Sequence, residues 1–526
     1  MDIVIRGARI ADGTGTPSYR ADVGVHEGRI AEIGDGLTGT RTIDADGLVL
    51  APGFIDMHSH SDLRVLAEPD HLAKVSQGVT TEVLGQDGLS YAPVNDEVLA
   101  TLRGQLAGWN DDPPGFDWNW RSVGEYLDRL DRGIAVNAAY LVPQGTLRML
   151  CVGWDDRPAT PSELDRMKEV LAQSIREGAC GMSSGLTYTP GMYAETSELV
   201  ELCRVVGELG GFYSPHHRSY GAGALEAYAE MVDVSTRSGC PLHLAHATMN
   251  FPVNKGRAPE LLALLDEAIS GGADISLDTY PYLPGATYLS ALLPSWATEG
   301  GPEATLRRLS DVDTRERIRV EIEEIGSDGC HGVPVDWDSI EINGVRNADN
   351  SHLVGNSVAT SADIAQKPPA DLYFDVLLDE RLGTSCLMHV GHESNVQAIM
   401  KHPAHTGGSD GLLVGDRPHP RAWGTFPRYL ARYVRELGVL GLEECVSHLT
   451  SRAAKRLRLT DRGLVRAGFA ADLVLFDPAN VTDTATFDEP RQQATGIPFV
   501  LVNGVPVIDD GTATGALPGH SLRSRP

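Results

Sequence analysis

The chain has 526 residues, of which 42% are hydrophobic and 22% charged, the profile of a water-soluble globular protein. The 72 acidic residues outnumber the 44 basic ones for a net charge of −28, which excludes nucleic acid and anionic membrane as partners. No apolar run approaches the roughly 18 residues of a membrane span, no basic-then-apolar leader opens the chain, and seven scattered cysteines point to reduced thiols in a cytoplasm.

Residues 1–50 read as short strands. Asp2-Ile3-Val4-Ile5 alternates, and Val23–Ile33 is a hairpin turning at Glu27-Gly28. The far end behaves alike: Ala471–Asp477 is a strand, and Phe499–Ile508 is a hairpin around Asn503-Gly504. One β-sandwich built from both termini, residues 1–50 and 466–526, is therefore expected.

Between these ends, strands alternate with helices. A strand runs into His58, and others are expected at Val79–Gly85, Ile134–Val142, Ala179–Ser184, Gly211–His216, Pro241–His246, Asp274–Tyr280 and His405–Asp410. Thr160-Pro161-Ser162-Glu163 is a capping box with Pro at the first helical position, opening a helix that puts Leu164, Met167, Val170, Leu171 and Ile175 on one face. Eight βα units predict an α/β fold of the (β/α)8 barrel type. Its strands 1–7 occupy residues 51–281, and its last strand and helices residues 404–465. Residues 282–403 are too long for one connection and are expected to form a helical insertion over the barrel mouth.

Barrel active sites gather at the carboxyl ends of the strands. In His58-x-His60 the two imidazoles share one strand face, as half a metal site would. The other strand ends supply Asp87, His216-His217, His246, Asp278, Tyr280 and Asp410. Four histidines and several carboxylates at one end of one barrel point to a transition-metal centre.

The chain resembles the amidohydrolase superfamily, in particular its N-acyl-D-amino-acid deacylase branch. The resemblance covers nearly the whole chain. It rests on Ala51–Asp62, Gly78-Val79-Thr80-Thr81, Gly181–Gly191 and Asp278–Tyr282, and further on Leu293–Ala297, Gly408–Gly411, His419–Phe426 and Gly463–Arg466. It implies a metal-dependent barrel with metal ligands at His58, His60, His216 and His246 and a general acid/base at Asp410. Zn²⁺, one ion or two, is the expected cofactor, with Mn²⁺ or Co²⁺ also open. The implied substrate is a small N-acyl compound whose carboxylate is held by Arg421 and Tyr280, with Arg218 as a further candidate. The chain departs from the branch at three places. Asp87 stands where these deacylases commonly have a cysteine ligand, and a carboxylate there can still ligate or bridge. Thr248 stands in place of a lysine, for which Lys255 is a possible substitute, and Ala286 in place of a serine. The changed pocket leaves open a different amide, such as a cyclic imide or a secondary metabolite, and a non-catalytic scaffold is the remaining alternative. The fourth strand carries no lysine, which argues against the amidohydrolases that carboxylate one there. Glu82 is a second nearby carboxylate. The oligomeric state is open, a homo-oligomer included.

Overall fold

The computed structural model describes residues 1–524. Eight strands form a parallel sheet in sequence order: β1 (Phe54–Asp56), β2 (Val79–Leu84), β3 (Asn137–Pro143), β4 (Gly181–Gly185), β5 (Phe212–His216), β6 (Leu242–Leu244), β7 (Ile275–Thr279) and β8 (His405–Gly407). The first and last strands meet. Met57 N–H donates to Gly407 O (3.0 Å) and Asp410 N–H to His58 O (2.8 Å), which closes the sheet into a barrel. Helices fill the crossovers, as right-handed βαβ connection requires. The helix Pro161–Arg176 starts at the expected capping box on Thr160 and Glu163 and turns Met167, Leu171 and Ile175 inward. Every residue of the eight strands is buried, because helices cover the outside and side chains fill the inside.

Both chain ends build one nine-stranded sheet, in which Val49–Pro52 pairs with Leu473–Phe476 and joins the N-terminal strands to the C-terminal ones. Ile5, Val23, Ile30, Ile43, Leu50, Leu473 and Leu501 give this sheet a core of its own. The strand Val49–Pro52 leads directly into β1, so the terminal sheet anchors the His58 end of the barrel.

The excursion between β7 and β8 is not purely helical. It contains a three-stranded antiparallel sheet, with Ser385–Met388 central between Gly285–Tyr288 and Ile340–Gly344. Its last helix, Glu393–Met400, packs on the barrel helix Ala258–Ser270 and so belongs to the barrel rather than to the insertion. The insertion carries a separate core that includes Leu289, Ile318, Ile340, Tyr373 and Phe374, and it roofs the carboxyl ends of the strands. No helix among the described residues is long and apolar enough to cross a membrane.

Candidate metal centre

The turns after β2, β6 and β8 each carry one residue of the cluster in an unusual backbone conformation. Asp87 (φ 53°), His246 (φ 30°) and Asp410 (φ 48°) all adopt the left-handed region, which is sparsely populated by residues with a Cβ. Such strain clusters where a side chain must point at a shared target. The chain turns closely before Asp87 because residue 85 is Gly: a Cβ there would lie 2.1 Å from Leu141 O.

The target is a tight cluster of nitrogen and oxygen donors. His58 Nε2 and His60 Nε2 lie 3.3 Å apart, and His216 Nδ1 and His246 Nε2 lie 3.0 Å apart. Asp87 sits between the two pairs. Its Oδ2 is 3.4 Å from His60 Nε2, His216 Nδ1 and His246 Nε2, and its Oδ1 is 3.5 Å from His58 Nε2. Asp410 Oδ1 lies 3.1 Å from His60 Nε2 and 3.6 Å from His58 Nε2. The donors form two overlapping groups, His58–His60–Asp87–Asp410 and Asp87–His216–His246, with donor atoms within 4.8 Å of one another in each and Asp87 common to both. All of these residues are buried.

This donor set fits a divalent transition metal. Four imidazoles turn ring nitrogens toward one another, an arrangement that a cation stabilises, and Asp87 Oδ1 is buried without a hydrogen-bond donor. Asp87, which the sequence reading set in a cysteine's place, is geometrically central and suited to bridge two ions.

The surrounding groups orient the donors. Asp278 does not enter the cluster. It stands behind it, 3.7 Å from His58 Nδ1 and 3.0 Å from His243 Nε2, and accepts from His246 N–H at 3.1 Å. Such carboxylates fix the rotamer and tautomer of a ligating histidine. Tyr220 Oη lies 3.0 Å from His246 Nδ1. On the β1 side, Lys74 Nζ, fully buried, donates to Asp56 Oδ2 (2.6 Å) and Ser409 Oγ (2.8 Å), and Asp56 accepts from Ser409 N–H and His58 N–H. This network ties the ends of β1 and β8 together under Asp410. Glu82 is likewise engaged elsewhere, with His71 Nε2 at 2.9 Å and Ser59 Oγ at 2.9 Å.

Electrostatics set Asp410 apart. Burial alone would raise its carboxyl, but the Arg421 guanidinium, His60 and the neighbouring imidazoles hold it well below the usual carboxylate range. Arg421 Nη2 is 2.8 Å from Asp410 Oδ2. Arg421 is fully buried, none of its three side-chain nitrogens makes a well-aligned hydrogen bond, and it stacks over the Tyr280 ring at 4.4 Å. Burial pushes the Tyr280 hydroxyl up to about 12, so it remains a donor at neutral pH.

A chamber of about 80 Å³ opens on this cluster, bounded by Tyr280, Thr248, Asn250, Phe251, Met388 and Val390 on one side and by Trp109, Tyr188, Thr187, Ala291 and Leu292 on the other. Two expected substrate groups are absent from it. Arg218 turns away, held by Glu230 (2.9 Å) and the carbonyls of Met192 and Ala194, which makes it a structural ion pair. Lys255 is exposed and does not replace the missing lysine. Thr248 Oγ1 instead donates to Asn250 Oδ1 (2.7 Å). His217 packs between Tyr220 and Tyr228, with ring centroids 4.1 and 3.9 Å away. The sequence reading missed Trp109 and His331. It quoted Tyr188 inside a motif without a role, although its ring lies 4.8 Å from His216 and 5.2 Å from Trp109.

A closed parallel barrel with clustered imidazoles and carboxylates at its carboxyl end is the arrangement of a metal-dependent hydrolase. Residues 41–508 match the amidohydrolase family, and the chain belongs to it. It is 35% identical to a D-aminoacylase from Alcaligenes xylosoxydans xylosoxydans over 99% of this chain and 97% of the relative. It is 36% identical to an N-acyl-D-aspartate deacylase of the same organism over 99% and 95%. Among solved structures, the N-acyl-D-glutamate deacylase of Bordetella bronchiseptica superposes with a TM-score of 0.85 at 33% identity, covering all of both chains; it was solved with zinc and a phosphonate mimic of the tetrahedral intermediate.

Proposed function

We propose that the enzyme hydrolyses N-acyl-D-amino acids to the free amino acid and the acyl carboxylate. The observation that carries the substrate half is Arg421, a fully buried cation with hydrogen-bonding capacity to spare beside the chamber. Its Nη2 already faces Asp410 at 2.8 Å, and its remaining nitrogens suit a planar carboxylate. The relatives' substrates supply the D-amino-acid expectation.

His58, His60, His216, His246 and Asp87 would hold zinc, in one or two ions. Zinc bound there lowers the pKa of water toward 7 and polarises a carbonyl. Asp410, kept ionised by Arg421, accepts the proton of the attacking water and passes it to the departing nitrogen. The new C–O bond forms first, and the C–N bond then breaks as Asp410 gives its proton to the nitrogen, so that the amine leaves neutral. Arg421 uses Nη2 on Asp410 and turns its remaining nitrogens to the substrate carboxylate, which the Tyr280 hydroxyl also serves. No lysine or arginine among the described residues lines the chamber; Arg421 stands just outside the lining, against Tyr280 and Asp410, which do line it. Phe251, Met388 and Val390 favour an apolar amino-acid side chain over an aspartate or glutamate. All seven cysteines are free thiols, which suits a reducing compartment, and we place the enzyme in the cytoplasm.

The test is a panel of N-acetyl-D- and N-acetyl-L-amino acids with zinc-loaded protein. Turnover of apolar D-substrates is expected, and no turnover of any member would sink the reading.

A further inference from the structure

A second and larger chamber, about 670 Å³, adjoins the first. The two share Thr187 and Ala291 as a common wall. The second lies beneath the insertion, against the loops that follow β2, β3 and β4, where Gln105, Trp154 and Met192 face Leu293, Leu306 and Leu382. Part of its charged rim is already engaged. Arg381 pairs with Glu303, and Glu380 accepts from the N–H groups of Arg346 and Asn347. The remaining lining is mixed, with an apolar part formed by Ala100, Trp154, Met192, Leu293, Leu306 and Leu382, and the cavity is of ligand size.

Its position matches one end of the substrate. Arg421 and Tyr280 follow β8 and β7, so a carboxylate held there puts the amino-acid half on that side of the metal cluster. The acyl half then points across the axis, past Tyr188 and Thr187, toward the loops after β2–β4. The inner chamber is too small for more than a few acyl atoms, and a longer chain has one adjoining space to enter.

We propose that the second chamber is the acyl subsite, and that the enzyme prefers N-acyl-D-amino acids with an unbranched aliphatic acyl chain of octanoyl or decanoyl length over their N-acetyl counterparts. This rests on the deacylase reading above. Burial of each methylene in such a chamber favours the longer chain.

The experiment compares kcat/KM for N-acetyl-, N-butanoyl-, N-octanoyl- and N-decanoyl-D-leucine in the zinc-loaded wild type and in Gly104→Trp and Ala100→Phe. Both positions line only the second chamber, and both are exposed. A Cβ at Gly104 meets no atom within 4 Å, and leaving Gly in that helix favours folding. The expected result is a rise of at least about tenfold from acetyl to decanoyl in the wild type, which both variants abolish while N-acetyl turnover is unchanged. Calorimetry with decanoate and acetate on metal-stripped protein gives a second readout: decanoate should bind the wild type and not Gly104→Trp, and acetate should show no such difference. Good N-acetyl turnover with flat or falling rates for longer chains, or variants that lower all substrates alike, would overturn the acyl subsite and leave the deacylase reading intact. No turnover of any chain length would overturn both.

Discussion

Replacing Arg421 by Met removes a charge while keeping most of the side-chain volume. The guanidinium is fully buried, 2.8 Å from Asp410 and 4.4 Å from the Tyr280 ring. A hydrogen bond to a charged group contributes about 1.5–3 kcal/mol, and removing one member of a buried ion pair costs about 3–5 kcal/mol. The expected loss in kcat/KM for an N-acetyl-D-amino acid is therefore about 3–4 kcal/mol, or roughly 10²–10³-fold. The assay pairs this variant with a substrate whose carboxylate is replaced by a carboxamide. Wild type should lose most of its rate on the amide, and Arg421→Met should show little further difference between acid and amide, because the two changes remove one interaction. A second signature is the pH profile. Arg421 helps depress the Asp410 carboxyl against burial, which would raise it. Without Arg421 that carboxyl moves up, and because the ionised form is the base, the acid limb of the rate profile shifts to higher pH. Equal losses on acid and amide, with an unmoved limb, would refute the assignment of Arg421 to the carboxylate.

Asp87 is shared by both donor groups. Asp87→Ala should lower zinc content, read by mass spectrometry of the desalted protein, and chelator should abolish wild-type turnover with recovery on adding zinc; full zinc content in Asp87→Ala would remove it from the ligand set. Glu82 supplies a pH test of stability. Burial opposes its ionisation, but His71 and Lys74 together with Ser59 lower its carboxyl from 4.5 to about 2. A depressed carboxylate stabilises the fold above the unfolded-state value and loses that contribution as pH falls toward the folded one. Glu82→Gln should therefore cost about 3 kcal/mol near neutrality, and the difference from wild type in urea denaturation should shrink as pH falls from about 4.5 toward 2; a difference independent of pH would contradict the assignment.

Much of the site was legible because a barrel brings together residues that share one feature in sequence, their place just after an apolar strand. His58, His60, Asp87, His216, His246 and Asp410 meet that condition, and the structure brings all six together. Arg218 failed because adjacency to His216-His217 does not say where a long side chain goes; its partner Glu230 lies on the following helix. Asp278 lies within β7, one residue before its end, and its side chain stands behind His58, which spacing does not encode. Trp109 lies in a four-residue helix, Ala107–Asn110, too short to give a periodic signal, and it meets Tyr288 of the insertion. The three-stranded sheet of the insertion was missed because its strands are short and pair across about 50 to 100 residues with little alternation. Both terminal hairpins, by contrast, announce themselves locally through Glu27-Gly28 and Asn503-Gly504, and both form as expected.

The account turns on Asp410 as the proton carrier of a metal-dependent amide hydrolysis, and the most direct measurement is steady-state turnover of N-acetyl-D-leucine by zinc-loaded Asp410→Asn, with zinc content and circular dichroism recorded on the same sample. The predicted result is a fall of roughly 10²–10⁴-fold in kcat with the fold intact and zinc still bound. Activity within a few-fold of wild type in a zinc-loaded, folded variant would contradict it.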